Sequence, residues 1–205
     1  APGETVRAAM KFRYTLGNSE QVQETGWIRG NRLTARGPNI SVQRNDEFRG
    51  GTYGTNSRDN EVKLGSFSIT PTDPFNTGRF SSDTLALGLR NLPGELRAQD
   101  YFMITLKQVT DQGEVLIGAN SGGYSSNVNG EDLHVFSFLN GVRTVPFAGT
   151  AVINIYARLF DVPVGNYELV MPKGWFDAEY LYVGYVPKMI EGPSATLPLQ
   201  SIRIQ

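Results

Sequence analysis

From Val6 to Leu16 every even position is apolar (Val6, Ala8, Met10, Phe12, Tyr14, Leu16), while Arg7, Ala9, Lys11, Arg13 and Thr15 occupy the odd ones. Successive side chains of a strand point to opposite faces, so this spacing predicts a strand with one face on a core and the other in water. A helix would scatter the same six residues around its circumference.

Runs of the same kind recur between breakers. Trp27-Ile28, Leu33 and residues 40–42 read as short strands separated by Gly30 and Gly37-Pro38. Further strands are predicted at 62–70, 85–89, 101–109, 114–118, 133–139, 150–160, 167–171, 179–186 and 199–204. Along 150–160, Ala151, Ile153, Ile155, Ala157 and Leu159 share one face. Val152, Asn154, Tyr156, Arg158 and Phe160 share the other, so that strand is expected to be partly covered on both sides. Residues 94–100 suit a single helical turn. Residues 44–60, 71–83 and 119–131 are polar and rich in Gly, Asn, Ser or Pro, and read as three long loops.

The pattern makes about ten to twelve strands with no amphipathic helix between them, which excludes βαβ units and argues for an antiparallel β-sandwich, jelly roll or closed barrel. All-β domains of 205 residues commonly form one unit, so residues 1–205 are expected to be a single β-sandwich. Pro187, Pro193 and Pro198 mark 187–205 as a C-terminal arm strapped across the surface, with reach toward a neighbouring molecule. No internal repeat or heptad is present.

Composition adds little to this picture and removes several alternatives. With 40% hydrophobic and 19% charged residues the chain is too apolar for disorder, and its 23 Gly and 11 Pro suit many short elements. A net charge of −1 supplies no global field for nucleic acid or an anionic membrane, so nucleic-acid contact is not expected to dominate. Residues 1–60 do hold eight arginines (7, 13, 29, 32, 36, 44, 49 and 58) against six acidic residues. They are scattered singly, as on a solvated strand face, although a contact surface for RNA or an acidic partner has the same signature. There is no cysteine, hence no disulfide and no thiolate chemistry. No run approaches the ~20 apolar residues of a membrane span. The first residues, Ala1-Pro2-Gly3, read as an end left by a signal peptidase, a polyprotein protease or an artificial cut.

Candidate chemistry is sparse. The single histidine, His134, alternates with Leu133 and Val135 and so faces alongside Phe136 and Phe138, as a packed strand histidine would. No Gly-x-Ser-x-Gly elbow accompanies it, and zinc would need several His or Cys ligands. Phosphate-binding glycine loops are missing. Two carboxylate pairs are worth weighing for glycoside hydrolysis: Glu131-Asp132 point to opposite faces, whereas Asp177 and Glu179 share one. Residues 127–132 place oxygen ligands at alternate positions but lack the closing acid of an EF-hand. Asn39-Ile40-Ser41 is a glycosylation sequon. No catalytic residue, metal ligand or cofactor is assigned. The aromatics Trp175, Phe176, Tyr180, Tyr182 and Tyr185 are the candidate interface or ligand-stacking residues, since Tyr and Trp suit surfaces apolar at one end and wet at the other.

The cut N-terminus, the long polar loops in a many-stranded framework, and the run from Ala151 to Asp161 together resemble the jelly-roll coat proteins of small icosahedral viruses, particularly picorna-like ones. Residues 162–205 exceed the simple tail of such coats, which a projecting or decorating subunit would accommodate. No Arg-rich N-terminal arm is present to neutralise packaged RNA. The resemblance implies a non-enzymatic structural protein of a virion, assembling with copies of itself or other capsid subunits, with a host receptor or glycan as a further partner. The alternative is a secreted carbohydrate-binding module or adhesin, and a third reading is an all-β hydrolase.

Overall fold

A computed structural model describes residues 11–16, 19–24, 40–71, 78–82, 85–120, 122–128, 130–138, 141–172, 177–182, 188–191, 193 and 195–205. The readings at 1–10 and 25–39, including Trp27, Leu33 and Asn39 of the sequon, lie outside them. The strands are β1 (Lys11–Leu16), β2 (Ser19–Glu24), β3 (Ile40–Arg44), β4 (Thr52–Tyr53), β5 (Val62–Pro71), β6 (Gly78–Ser82), β7 (Ala86–Arg90), β8 (Phe102–Thr110) and β9 (Gly113–Ala119). They continue as β10 (Gly122–Val128), β11 (Glu131–Ser137), β12 (Val142–Arg143), β13 (Ala151–Leu159), β14 (Gly165–Met171), β15 (Asp177–Tyr182), β16 (Lys188–Glu191) and β17 (Leu197–Ile204). One helical turn, α1 (Ala98–Tyr101), precedes β8. The chain is an all-β sandwich.

Two sheets form its walls. One has the order β10-β11-β7-β14-β17-β4 and the other β3-β5-β13-β8-β9. Within them β8 pairs with β9, β7 with β11, and β5 with β13, all antiparallel. These are pairs nested inside one another along the chain and placed alternately in the two sheets. The pairings β13–β8 and β14–β7 then close the turns of the roll. A long antiparallel hairpin rolled up in this way is the jelly-roll topology.

The core lies between these sheets. Phe67 and Ile69 of β5, Phe102, Ile104 and Leu106 of β8, and the five alternating residues of β13 meet Leu87, Leu89, Phe136, Leu169 and Ile202 from the other wall. The second face of β13 is half-covered, as its alternation predicted: Asn154 is buried while Val152 and Tyr156 are partly so. In β5 the alternation breaks at Leu64-Gly65, where the register with β13 shifts between Ile155 and Tyr156. That bulge turns two consecutive residues inward and puts Lys63, half-buried, and Ser66, buried against Asn154, on the sheet's other face. A smaller apolar cluster of Ala86, Leu133, Val135 and Val170 lies on the outer side of β7, β11 and β14, so these strands are covered on both faces there, while Arg90, Glu131 and Asn166 leave the other end of that outer face open.

Several expectations are corrected. The strands are more numerous than ten to twelve, in part because all three polar stretches read as loops contain strands: β4 in 44–60, β6 in 71–83 and β10 in 119–131. β10 forms a hairpin with β11 around Gly130 (φ 85°), and as an edge strand it needs a backbone ladder rather than apolar alternation. β6 lies inside 71–83 and belongs to a four-stranded sheet, β12-β6-β15-β16, anchored by fully buried Phe80. The C-terminal segment is not a free strap. β16 pairs with β15, and β17 is held between β14 and β4, with Leu199, Ile202 and Ile204 at 0–1% exposure. Burying those three side chains is worth about 1.5–3 kcal/mol each, more than a surface strap would gain.

Candidate functional site

The loops after β4, β7 and β13 meet at one end of the sandwich. Ser57 N–H donates to Leu159 C=O at 2.9 Å, Val162 N–H to Thr55 C=O at 2.8 Å, and Phe160 N–H to Tyr101 C=O at 2.9 Å. Asp161, in the left-handed region at φ 52°, accepts from Asn56 (2.7 Å) and pairs with Arg58 (3.2 Å). Arg58 also lies over the Phe160 ring at 5.7 Å.

Beside this end, a cleft of about 400 Å³ opens on the outer face of β14 and β17. Its floor is Asn166 and Glu168 of β14 with Ser201 and Arg203 of β17, its far wall is Gly50 to Thr52, and Asn91 closes the near side. Strand alternation explains the floor: Tyr167, Leu169, Ile202 and Ile204 point to the core, so the residues between them face outward. Asn91 follows β7 at φ 69°, a conformation Asn tolerates, and donates to Asn166 C=O at 3.4 Å. The 48–50 loop is clipped by Gln200, oriented so that its oxygen accepts from Gly50 N–H at 2.7 Å and its nitrogen donates to Phe48 C=O at 3.2 Å.

A row of charges crosses the same face. Arg90 of β7 pairs with Glu131 of β11 and Glu168 of β14, each at 2.6 Å. Those hydrogen bonds, Glu131 first and Glu168 next, raise the Arg90 pKa further and keep it protonated. Arg203 stands at the end of the row, exposed, with no side-chain partner among the described residues.

The outer face of the five-stranded sheet carries a second polar network. Lys107 Nζ lies 2.6 Å from Glu61 and 4.6 Å from the Tyr156 ring centroid. Thr105 donates to the other Glu61 oxygen at 2.9 Å. On the far side Glu114 accepts from Asn154 at 2.5 Å and from Tyr156 at 3.0 Å. The Lys107 hydrogen bond holds Glu61 below its ordinary pKa against the opposing effect of burial. Burial, then the Glu114 hydrogen bond, pushes the Tyr156 phenol up to about 12. Glu61 and Glu114 are thus each engaged by a donor set, so this network braces the sheet.

The residues singled out from sequence are dispersed. Trp175, Phe176 and Tyr185 lie outside the described residues. Tyr180 and Tyr182 stand at alternate positions of β15, opposite Phe80 and Gly78 of β6. Asp177 and Glu179 also lie in β15, opposite Glu191 and Met189 of β16. Glu131 and Asp132 are not joined: the first pairs with Arg90, and the second accepts from Asn127 at 2.9 Å. Asn127 also accepts from Gly130 N–H at 3.1 Å, so the calcium-like stretch is a hairpin turn whose oxygens cap its own backbone. His134 is 5% exposed, on the Phe136 side of its strand, with Nε2 3.1 Å from Leu92 C=O. Arg44 and Arg58 are neutralised by Asp46 and Asp161. Among the described residues no three His, Asp or Glu side chains converge as a metal site, and no helix is long and apolar enough to cross a membrane. Sequence reasoning missed the cleft. Its one legible trace is the outward parity of Ser201 and Arg203 between Ile202 and Ile204.

No family model and no curated protein matches the chain. Among solved structures it is similar to AvmM, which catalyses macrocyclization in alchivemycin A biosynthesis, with a TM-score of 0.38 and 11% identity over 78% of this chain and 87% of that one. It is also similar to the CooA pilin subunit of enterotoxigenic Escherichia coli, with a TM-score of 0.33 and 11% identity over 82% of this chain and 99% of that one. At these scores neither likeness bears on what this chain does.

Proposed function

We infer that the protein is a non-enzymatic structural subunit of a viral particle, a coat, projecting or decorating protein that associates with copies of itself. The observation that carries this reading is the nested jelly-roll pairing of β5–β13, β7–β11 and β8–β9, an architecture shared by virus coats and lectins. The margin of the five-stranded sheet supports self-association. β9 is an edge strand, and Leu116 on it is 60% exposed, diagonal to Val109 (44%) on β8. An edge strand with outward apolar side chains is a template for pairing. A second copy related by a two-fold axis places the same strand antiparallel to it, which buries Leu116 of both.

The test is solution mass by light scattering across a concentration series, with electron microscopy of the same sample. The expected result is a defined oligomer or shell, since stable contacts bury more than about 1,200 Å². A strict monomer at every concentration overturns the reading.

A further inference from the structure

We propose that the cleft over β14 and β17 binds a carboxylate-bearing sugar, with Arg203 pairing the carboxylate and Asn91, Asn166 and Ser201 engaging ring hydroxyls. The proposal stands apart from the assembly reading, because the cleft is on the opposite wall of the sandwich from Leu116.

Three observations converge on this ligand chemistry. First, the charge row Glu131–Arg90–Glu168 pairs Arg90 on both sides, whereas Arg203 at its end has no side-chain partner among the described residues. A guanidinium offers a rigid fork of donors that matches a carboxylate in two parallel hydrogen bonds. Second, the cleft holds acceptors as well as donors. Glu168 keeps lone pairs beyond the one used by Arg90, and the Asn166 amide and Ser201 hydroxyl make no side-chain hydrogen bond among the described residues. A bare anion such as sulfate presents acceptors only and would be repelled by Glu168. A sugar acid presents its carboxylate toward Arg203 and hydroxyl donors toward Glu168, so it satisfies both ends.

Third, the space is the right kind. A volume of about 400 Å³ falls within the roughly 300–1,000 Å³ of small-ligand sites, and the side chains that strand alternation turns outward on its floor, Asn166, Glu168, Ser201 and Arg203, are all polar. The wall depends on glycine: a Cβ at Gly50 would meet the Gln200 side chain and lie 2.5 Å from Ser201 C=O. The backbone of that loop therefore approaches β17 closely, and Gln200 pins it there. The rim is thus preorganised, which lowers the ordering cost of binding.

The experiment presents the intact chain to an array of sialylated and uronate-containing glycans alongside their neutral counterparts, and then titrates the strongest acidic glycan by calorimetry. Acidic glycans are expected to bind and neutral ones not. Arg203→Gln should weaken binding by about tenfold, the loss of one charge-assisted pair, with an unchanged thermal midpoint because the side chain is exposed. Arg44→Gln, on the other sheet and paired with Asp46, should leave affinity unchanged. Dextran sulfate serves as the polyanion control. Equal binding of neutral and acidic glycans, equal binding of dextran sulfate, an Arg203→Gln variant of unaltered affinity, or no binding anywhere on the array would each overturn the proposal.

Discussion

Gln108 and Val145 hold one another by a reciprocal pair of hydrogen bonds. Val145 N–H donates to Gln108 Oε1 at 2.8 Å, and Gln108 Nε2 donates to Val145 C=O at 3.3 Å. The amide side chain imitates a strand neighbour for a backbone that has none, and it does so buried. It fastens β8 to the connection that carries β12, whose Thr144 in turn exchanges hydrogen bonds with Phe80 of β6. Replacing Gln108 with Ala removes both bonds and strands two backbone groups. The expected loss is about 2–4 kcal/mol, read from the urea midpoint. A change below about 0.5 kcal/mol would mean the connection is anchored elsewhere.

Phe102 joins the two walls of the sandwich. Its ring meets Phe136 edge-on at 6.1 Å and Tyr167 at 6.3 Å, both from the opposite sheet. Phe102→Ala is expected to cost about 3–5 kcal/mol, the transfer term plus a cavity. Phe102→Leu should cost well under half of that, which separates volume from ring geometry. Thermal and chemical denaturation of both variants make the comparison.

Glu61 gives an acid-side signature. Its folded pKa is depressed, chiefly by the Lys107 hydrogen bond. A depressed carboxylate contributes stability that is full above its unfolded value of about 4.3 and is lost as pH falls through the folded one. Stability should therefore decline less between pH 5 and pH 2.5 in Glu61→Gln than in the natural chain. Parallel declines would show that Lys107 does not hold the carboxylate in solution.

Tyr156 gives the alkaline counterpart. Its phenol is raised to about 12, so the protonated form is favoured by the fold. The associated stability is present below about pH 10, the unfolded value, and is lost as pH rises through the folded value. Burial also raises the phenols of Tyr53 and Tyr167, so spectrophotometric titration at 295 nm should show a late-ionising phase that Tyr156→Phe reduces without abolishing.

Leu116→Glu tests the assembly surface without touching the core. The side chain is exposed, so the thermal midpoint of the monomeric chain should change little. Association should fall sharply, because two copies would then oppose like charges across the two-fold axis. Unchanged oligomer mass in this variant would move the interface away from β9.

The two legible strands of the roll, β8 and β13, show why so much of the framework could be read in advance. Ala151, Ile153, Ile155, Ala157 and Leu159 alternate without a fault, and all five are buried. His134 followed the same parity rule, landing on the Phe136 side. Where parity breaks, reading fails for a physical reason. The Leu64-Gly65 bulge is decided by register with β13, which no local pattern encodes. β6 and β10 are too polar to announce themselves, because a ladder of backbone hydrogen bonds is indifferent to side chains at an edge or beneath a single anchoring Phe80.

The candidate site was less visible still. Arg203, Asn166 and Asn91 are far apart along the chain, and each reads alone as an ordinary solvated polar residue. Only the pairing of Asn166 with Arg203 and the turn at Asn91 bring them to one rim.

What the sequence by itself determined is the alternation of apolar and polar positions, hence strands rather than helices, the inward face of β13, and an all-β sandwich. Those follow from side-chain burial, which acts residue by residue. Tertiary structure alone decided which strand lies beside which, the capture of Leu197–Ile204 as a wall of the sandwich, and the convergence of Arg203 with its neighbours. Those depend on hydrogen bonds between segments remote in sequence, whose partners are chosen only when the whole sheet closes.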